Sequence, residues 1–274
     1  MPRNSNIETK ISIIIPSFNQ GEYIEQTIQS ILNQDYSNYE IIIFDGGSKD
    51  NTLQILQKYK SYISHLSVGK DKGQSDAIKK GFELAEGEIL YWINSDDILA
   101  ENALHSINNS FLKTKTPSVF FGNLDIINST SKFLFTKYLT PIPPIFGRYS
   151  IYRGLFGFYQ PSFFMTASAY RLTKGMNPDL FFCMDNDLFK NLAKERIDFI
   201  YINKSLSKFR IHDNSKSSNF QNRGFNERIY IFGETTLKDR FLKIYILIFR
   251  TICYLYKLRI IKVVKSKYKI PWLP

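Results

Sequence analysis

Residues 39–52 read Tyr39-Glu40-Ile41-Ile42-Ile43-Phe44-Asp45-Gly46-Gly47-Ser48-Lys49-Asp50-Asn51-Thr52. A short apolar run rich in Ile empties into a glycine-bearing polar turn, and Leu53, Ile55/Leu56 and Tyr59 then mark one face of a helix. The run shows no polar alternation, so both its faces are to be buried, as in a parallel strand covered on each side. The same order recurs around it. Ile11-Ser12-Ile13-Ile14-Ile15-Pro16 precedes a helical pattern at Tyr23/Ile24, Thr27/Ile28 and Ile31/Leu32, and Ala77/Ile78, Gly81/Phe82 and Ala85 lead into Glu88-Ile89-Leu90-Tyr91-Trp92-Ile93-Asn94. Strands alternating with helices through short connections make right-handed βαβ units. The fold class is therefore α/β: an open, mostly parallel sheet with helices on both faces.

Beyond about residue 115 this rhythm loosens. A strand is expected over 117–127, a break at 141–144, an aromatic, glycine-punctuated stretch over 146–166, a helix from Asp185 to Ala193 and a strand over 197–203. The reading is one catalytic domain over 1–237, with halves at about 1–115 and 116–237, and a tail over 238–274. With 274 residues, 43% hydrophobic and 15% aromatic, the chain is no disordered polymer. Cys183 and Cys253 stand far apart, which excludes a disulfide framework and a cysteine zinc site and favours a reducing compartment. Met1 to Lys10 lacks an apolar core, so no secretory leader is expected there. The net charge is +11, but ten Lys/Arg against the single Asp239 lie from Lys238 onward. The body is near neutral, and a basic face for nucleic acid is not expected.

Ligands of open α/β sheets bind beyond the carboxyl ends of the strands. Those ends carry Ser17–Asn19, Asp45–Asp50 and Asn94-Ser95-Asp96-Asp97. The turn at 45–52 serves either as a plain turn capped by Asp50 or as a nucleotide site, with the Asp45 carboxylate accepting from a base or ribose. The dinucleotide and P-loop fingerprints are absent. Asp96 and Asp97 either cap a helix over 99–111 or hold a divalent cation completed by substrate phosphates.

These pieces in order resemble the family 2 glycosyltransferases of the glycosyltransferase-A fold, over residues 11 to about 218. Ile13-Ile14-Ile15-Pro16-Ser17-Phe18-Asn19 resembles the opening strand and loop, and 45–52 the nucleotide-binding turn. Asp71-Lys72-Gly73-Gln74-Ser75-Asp76-Ala77 is similar to a donor-side block of bacterial polysaccharide-assembly members. Asn94-Ser95-Asp96-Asp97 stands at the D-x-D metal motif, Gln160-Pro161-Ser162 at an acceptor-side strand, and Met184-Asp185-Asn186-Asp187-Leu188 at the E-D-x-D-L segment. Arg210-Ile211-His212-Asp213-Asn214-Ser215 resembles the closing R-x-H-x-x-S. Two departures stand out: Asn94 occupies the first D-x-D position, and Met184 replaces a frequent Glu.

The resemblance implies an inverting transfer of sugar from a nucleoside-diphosphate donor, with uridine the commonest base, to a glycan or polyprenyl-diphosphate-linked hydroxyl. It implies Asp185 as general base with Asp187 as fallback. It implies Mn²⁺ or Mg²⁺ on Asp97, with Asp96 on the ribose or the same ion, and His212 on the metal or the diphosphate. Pro16, Ser17, Phe18, Asp45, Asp71 and Lys72 are expected around the nucleotide, although a lysine such as Lys72 can equally be solvated and a lone His such as His212 structural. A sugar-1-phosphate nucleotidyltransferase would want a basic residue in the opening turn, which Ser17-Phe18-Asn19-Gln20-Gly21 lacks. An inactive membrane-bound relative is the other alternative.

In the tail, Lys243, Arg250 and Lys257 recur every seven residues, with Arg240 and Lys265 near that stripe and Leu242, Ile246, Ile248, Phe249, Ile252 and Leu255 on the other face. The apolar stretch is too short to span a bilayer. A basic amphipathic helix on an anionic membrane surface is expected, placing the enzyme at the inner face of the plasma membrane; a helix packed on protein is the alternative.

Overall fold

The computed structural model describes residues 7–257 apart from 115, 144, 214 and 217–220. β1 (Ile11–Ser17), α1 (Ile24–Leu32), β2 (Tyr39–Asp45), α2 (Thr52–Lys58), β3 (His65–Val68), α3 (Gln74–Leu84) and β4 (Ile89–Trp92) build the first half. There follow β5 (Ile98–Leu99), α4 (Ala103–Thr114), β6 (Ser118–Asn128), β7 (Phe133–Lys137), α5 (Gly147–Tyr152), β8 (Phe163–Thr166) and α6 (Ala167–Arg171). α7 (Met184–Lys194), β9 (Asp198–Ile211), α8 (Gln221–Phe232) and α9 (Leu237–Lys257) complete the described chain.

Nine strands form one sheet among the described residues, in the order β3-β2-β1-β4-β8-β6-β9-β5, with β7 on β6. β3, β2, β1 and β4 pair in parallel, as the continuous apolar runs of β1, β2 and β4 require, and so do β6 and β9. β8 runs antiparallel between β4 and β6, and β5 and β7 are antiparallel additions to β9 and β6. The sheet is thus mixed: parallel in the first half of the chain, interleaved beyond it.

Side chains alternate across the pleat. Ile11, Ile13, Ile15, Ile41 and Ile43 share a core with Ile24, Ile28 and Leu104 of α1 and α4, while Ile14, Ile42 and Trp92 face the opposite core with Ile78 and Phe82 of α3 and Leu188 and Leu192 of α7. Burial on both faces is why these strands carry no polar alternation.

Several elements differ from expectation. The helix expected over 99–111 begins at Ala103, because Ile98 and Leu99 pair with Lys208 and Ser207 of β9. The strand expected to stop at 203 continues to Ile211, held by β6 along its length. β3 was not read, since its residues lie half-exposed at the sheet edge and carry little apolar signal.

The tail differs too. Leu242 and Ile246 belong to the same core as Phe156 and Phe232 of the body, so the boundary at 237/238 cuts through a continuous core. Asp239 is buried and bridged to Arg153 at 2.8 Å, which holds its carboxyl well below the usual range. Arg250, expected on the solvated stripe, is packed over the Phe156 ring. The outward face instead carries Leu237, Phe241, Ile244, Leu247 and Ile248 beside exposed Lys238, Arg240 and Lys243. Lys265 lies outside the described residues, as does the side chain of Lys257. No described helix is long and apolar enough to cross a membrane.

Gly81 shows how tightly α3 seats on β1: a Cβ there would stand 2.5 Å from Ile14 Cγ2. Alanine favours a helix interior by roughly 1 kcal/mol over glycine. Here overpacking outweighs that gain, and Gly81→Ala is expected to destabilise the fold by about 1–3 kcal/mol, read as a lower urea midpoint.

Candidate active site

The turn after β2 is built by Asp45. Its Oδ1 accepts the Gly47 and Ser48 N–H groups at 3.0 and 2.7 Å, and its Oδ2 accepts the Ser17 and Ser48 hydroxyls at 2.9 and 2.6 Å. The carboxylate is 2% exposed. It therefore shapes the nucleotide-side loop, and the expectation that it reaches a base or ribose gives way to this structural role. Pro16 lies inside β1, and Ser17 is engaged with Asp45, so neither side chain faces outward.

What does face the opening is Phe18, 58% exposed. Gly46 lies between it and Asp71: a Cβ on Gly46 would be 3.3 Å from the Phe18 ring and 3.4 Å from Asp71 Oδ2. An aromatic face, a side-chain-free backbone and a carboxylate thus border one small space. Asp71 Oδ1 accepts from Gly73 N–H at 2.8 Å, which fixes it. Lys72 is exposed beside this space, its backbone N–H donating to Asp76.

At the end of β4 the two adjacent carboxylates part company. Asp97 is fully buried; Oδ1 accepts the Arg210 backbone N–H at 3.0 Å and Oδ2 accepts from Asn94 Nδ2 at 3.1 Å. Burial, with the neighbouring charge of Asp96, pushes its acid well above the usual carboxylate range. A carboxylate so enclosed presents no open surface to a cation, so Asp97 is not placed as the first metal ligand. Asp96 keeps part of its surface open, and its Oδ2 lies 3.0 Å from His212 Nε2. Arg210 clamps the segment: Nε donates to Asp96 O at 2.8 Å, its other nitrogens reach Gln26 Oε1 and the 128–131 turn, and its guanidinium lies over Tyr23. Among the described residues no three His, Cys, Asp or Glu side chains gather around one point. Asp96 with His212 is a carboxylate–imidazole pair that fits a Mn²⁺ or Mg²⁺ completed by phosphate oxygens and water.

A chain of amides joins this motif to the other half. Gln74 Nε2 donates to Asn94 Oδ1 at 2.8 Å, Asn94 Nδ2 also contacts Gln160 Oε1 at 3.2 Å, and Lys216 Nζ donates to Gln74 Oε1 at 2.9 Å. Asn94 must donate and accept at once here, which the Asp of the common D-x-D motif could not do at neutral pH. Lys216 faces Asp185 and Glu227; burial lowers its amine to about 8. Asp185, second residue of α7, accepts from the Asn186 N–H and side-chain amide at 2.7 and 2.9 Å. Burial raises its acid, with Asn186 and Lys216 opposing that rise. Asp187, two residues on along α7, accepts from Asn191 Nδ2 at 3.2 Å and feels the charges of Lys190 and Lys194.

Residues 12–172 match the family described as Glycosyl transferase family 2. The chain belongs to that family. It is 34% identical over 132 residues to the Escherichia coli protein named UDP-Glc:alpha-D-GlcNAc-diphosphoundecaprenol beta-1,3-glucosyltransferase WfgD, covering 48% of this chain and 51% of that one. Its fold matches Staphylococcus aureus TarS 1-349 in complex with UDP-GlcNAc, with a TM-score of 0.58, 19% identity and coverage of 77% and 61% of the two chains. It also matches the Pyrobaculum calidifontis mannosyltransferase PcManGT in complex with GDP-Man and Mn2+, at a TM-score of 0.55, 15% identity and 76% and 59% coverage. The chain spans between 28% and 51% of the length of the first three curated relatives it matches. Within this family 2 site, Gln74, Gln160 and Lys216 were not singled out from sequence. The two glutamines stood inside recognised blocks without a role, and Lys216 follows the last block by one residue.

The amide chain yields a direct expectation. Asn94→Asp sets a carboxylate against Asp97 and Gln160 and strands their acceptor oxygens. It is expected to destabilise the protein by about 1–3 kcal/mol, seen as a reduced midpoint of urea unfolding at neutral pH, although it restores the commoner motif.

Proposed function

We propose that this chain is an inverting glycosyltransferase that moves a sugar from a UDP-sugar to a hydroxyl of a glycan or lipid-linked acceptor in bacterial surface polysaccharide synthesis. The observation that carries the reading is the run of hydrogen bonds that ties Lys216 through Gln74 to Asn94, two residues before the Asp96–His212 pair, with the Phe18–Gly46–Asp71 cluster at the start of the turn that leads into Gln74; the charge of Lys216 also favours ionised Asp185. UDP-GlcNAc in the TarS complex and the UDP-Glc and diphosphoundecaprenol in the WfgD name support the donor class and a carrier-linked acceptor.

In this reading the base lies against Phe18 with Asp71 accepting its N–H, and the diphosphate runs toward Asp96 and His212. Those two side chains would hold a divalent cation, which when bound neutralises charge gathering on the leaving diphosphate. Asp185 accepts the proton of the acceptor hydroxyl as the new bond from that oxygen to the anomeric carbon forms and the bond to the diphosphate oxygen breaks. The displacement is in line, and the electron pair leaves with the nucleoside diphosphate.

Asp185→Asn is expected to lower kcat by about 10²–10⁴-fold with UDP affinity retained, measured by hydrolysis of UDP-GlcNAc or UDP-glucose in Mn²⁺ and by calorimetry; near-wild-type turnover would remove Asp185 from the role. The ionised carboxylate is the active form, and burial raises its acid above the ordinary value. The rate is therefore lost on acidification at a higher pH than an ordinary aspartate would give. Lys216→Met removes a cation that favours ionised Asp185, so the acid limb of the pH–rate profile is expected to move to higher pH.

The outer face of α9 supports placement on an anionic membrane surface at the inner face of the plasma membrane. Phe241 and Leu247 are 72% and 65% exposed next to Lys238, Arg240 and Lys243. Phe241→Gln combined with Leu247→Gln in the full chain is expected to weaken sedimentation with phosphatidylglycerol vesicles while UDP affinity stays unchanged. Equal sedimentation would remove this face from membrane binding.

A further inference from the structure

The turn that delivers Asp185 has no side-chain cap of its own. Cys183 occupies the N-cap of α7, and its thiol donates away from the helix, to Gly224 O at 3.2 Å. In place of a cap, three consecutive backbone N–H groups converge on one carboxylate from α8. Glu227 Oε1 accepts from Phe181 at 3.0 Å, and Oε2 accepts from Phe182 and Cys183 at 2.8 Å each. Residues 181–183 run directly into Met184 and Asp185, so this carboxylate sets the position and direction of the helix start that carries the base. A negative charge there also complements the N-terminal end of the α7 dipole.

Other contacts of α8 reinforce the seat. Gly224 lies so close that a Cβ would stand 2.5 Å from Phe182 Cδ1, and Arg228 reaches Asn186 Oδ1 at 3.3 Å. Arg223 and Lys216 flank Phe181, each 4.1 Å from its ring centroid, and Arg223 also pairs with Glu227. α8 lies outside the 12–172 stretch that matches the family.

We propose that Glu227 is a positioning residue for the glycosyl transfer, holding the 181–183 turn so that the Asp185 carboxylate stands in reach of the acceptor hydroxyl. The proposal rests on Asp185 being the base. The hydrogen bonds of Glu227 run to the 181–183 turn and to Arg223, so its loss is expected to act on the chemical step more than on donor binding. A displacement of the base by about 1 Å is enough to lower turnover on the order of a hundredfold.

The test compares Glu227→Gln with Asp185→Asn in the full chain. Glutamine keeps the shape but offers one acceptor oxygen where two serve three donors, and its amide NH₂ opposes the turn. With UDP-GlcNAc or UDP-glucose hydrolysed in Mn²⁺, Glu227→Gln is expected to lower kcat tenfold to about a hundredfold, with donor KM and UDP affinity within a factor of about two, a range that leaves the binding free energy nearly unchanged. Amide hydrogen exchange is expected to quicken over 181–187 and stay unchanged over 71–76. Wild-type kcat, donor affinity falling in step with kcat, or unchanged exchange over 181–187 would each overturn the proposal. If Asp185→Asn itself keeps wild-type turnover, the base assignment fails first; if Asp185→Asn is inactive while Glu227→Gln is not, only the clamp fails. Should Glu227→Gln not fold, Gly224→Ala wedges α8 from Phe182 and carries the same expectations.

Discussion

Everything in the cleft is hung from the burial of Asp97. Its carboxylate, enclosed and engaged by the Arg210 N–H and the Asn94 amide, ties the loop after β4 to the last turn of a strand more than a hundred residues later. The pairing of Ile98 and Leu99 with β9 makes that contact possible, and the guanidinium of Arg210 locks it from the other side. With the two segments joined, Asp96 and His212 meet without either needing a rigid side chain. A buried acid held this way is costly to leave unpaired, which makes the junction all-or-none.

The first half of the fold was legible because its strands are buried on both faces. Ile11–Ile15 and Ile41–Ile43 carry an apolar signal that no other context explains, and the helical repeats between them are equally plain. The second half was harder to read. β6 lies where a strand is expected, but β8 lies in a stretch whose aromatic residues serve the core at several angles, β7 is an exposed hairpin strand, and the true length of β9 depends on a partner distant in sequence. Tertiary pairing, not local propensity, decides those boundaries.

The same distinction applies to the site. Asp71, Asp96, Asp185 and His212 stand out in the sequence because each sits in an ordered block, and the structure sets Asp71 beside Gly46, Asp96 against His212 and Asp185 in the first turn of α7. The division of labour between neighbours could not be read. Asp45 and Asp97 look as reactive in sequence as Asp71 and Asp96, yet the first pair faces inward and organises backbone while the second pair faces the opening. One residue of register separates an acid that builds the cleft from one that lines it.

The docking of α9 has a practical corollary. Leu242 and Ile246 close the core over Phe156 and Phe232, and Asp239 neutralises Arg153. Cutting the chain ahead of Leu237 would therefore bare an oily wall and take the counter-charge from the Arg153 guanidinium, and any truncated protein would report its own misfolding before it reported the helix's outer surface. Point changes confined to the solvent side are the cleaner instrument, because the helix is at once a structural panel and an outward-facing one.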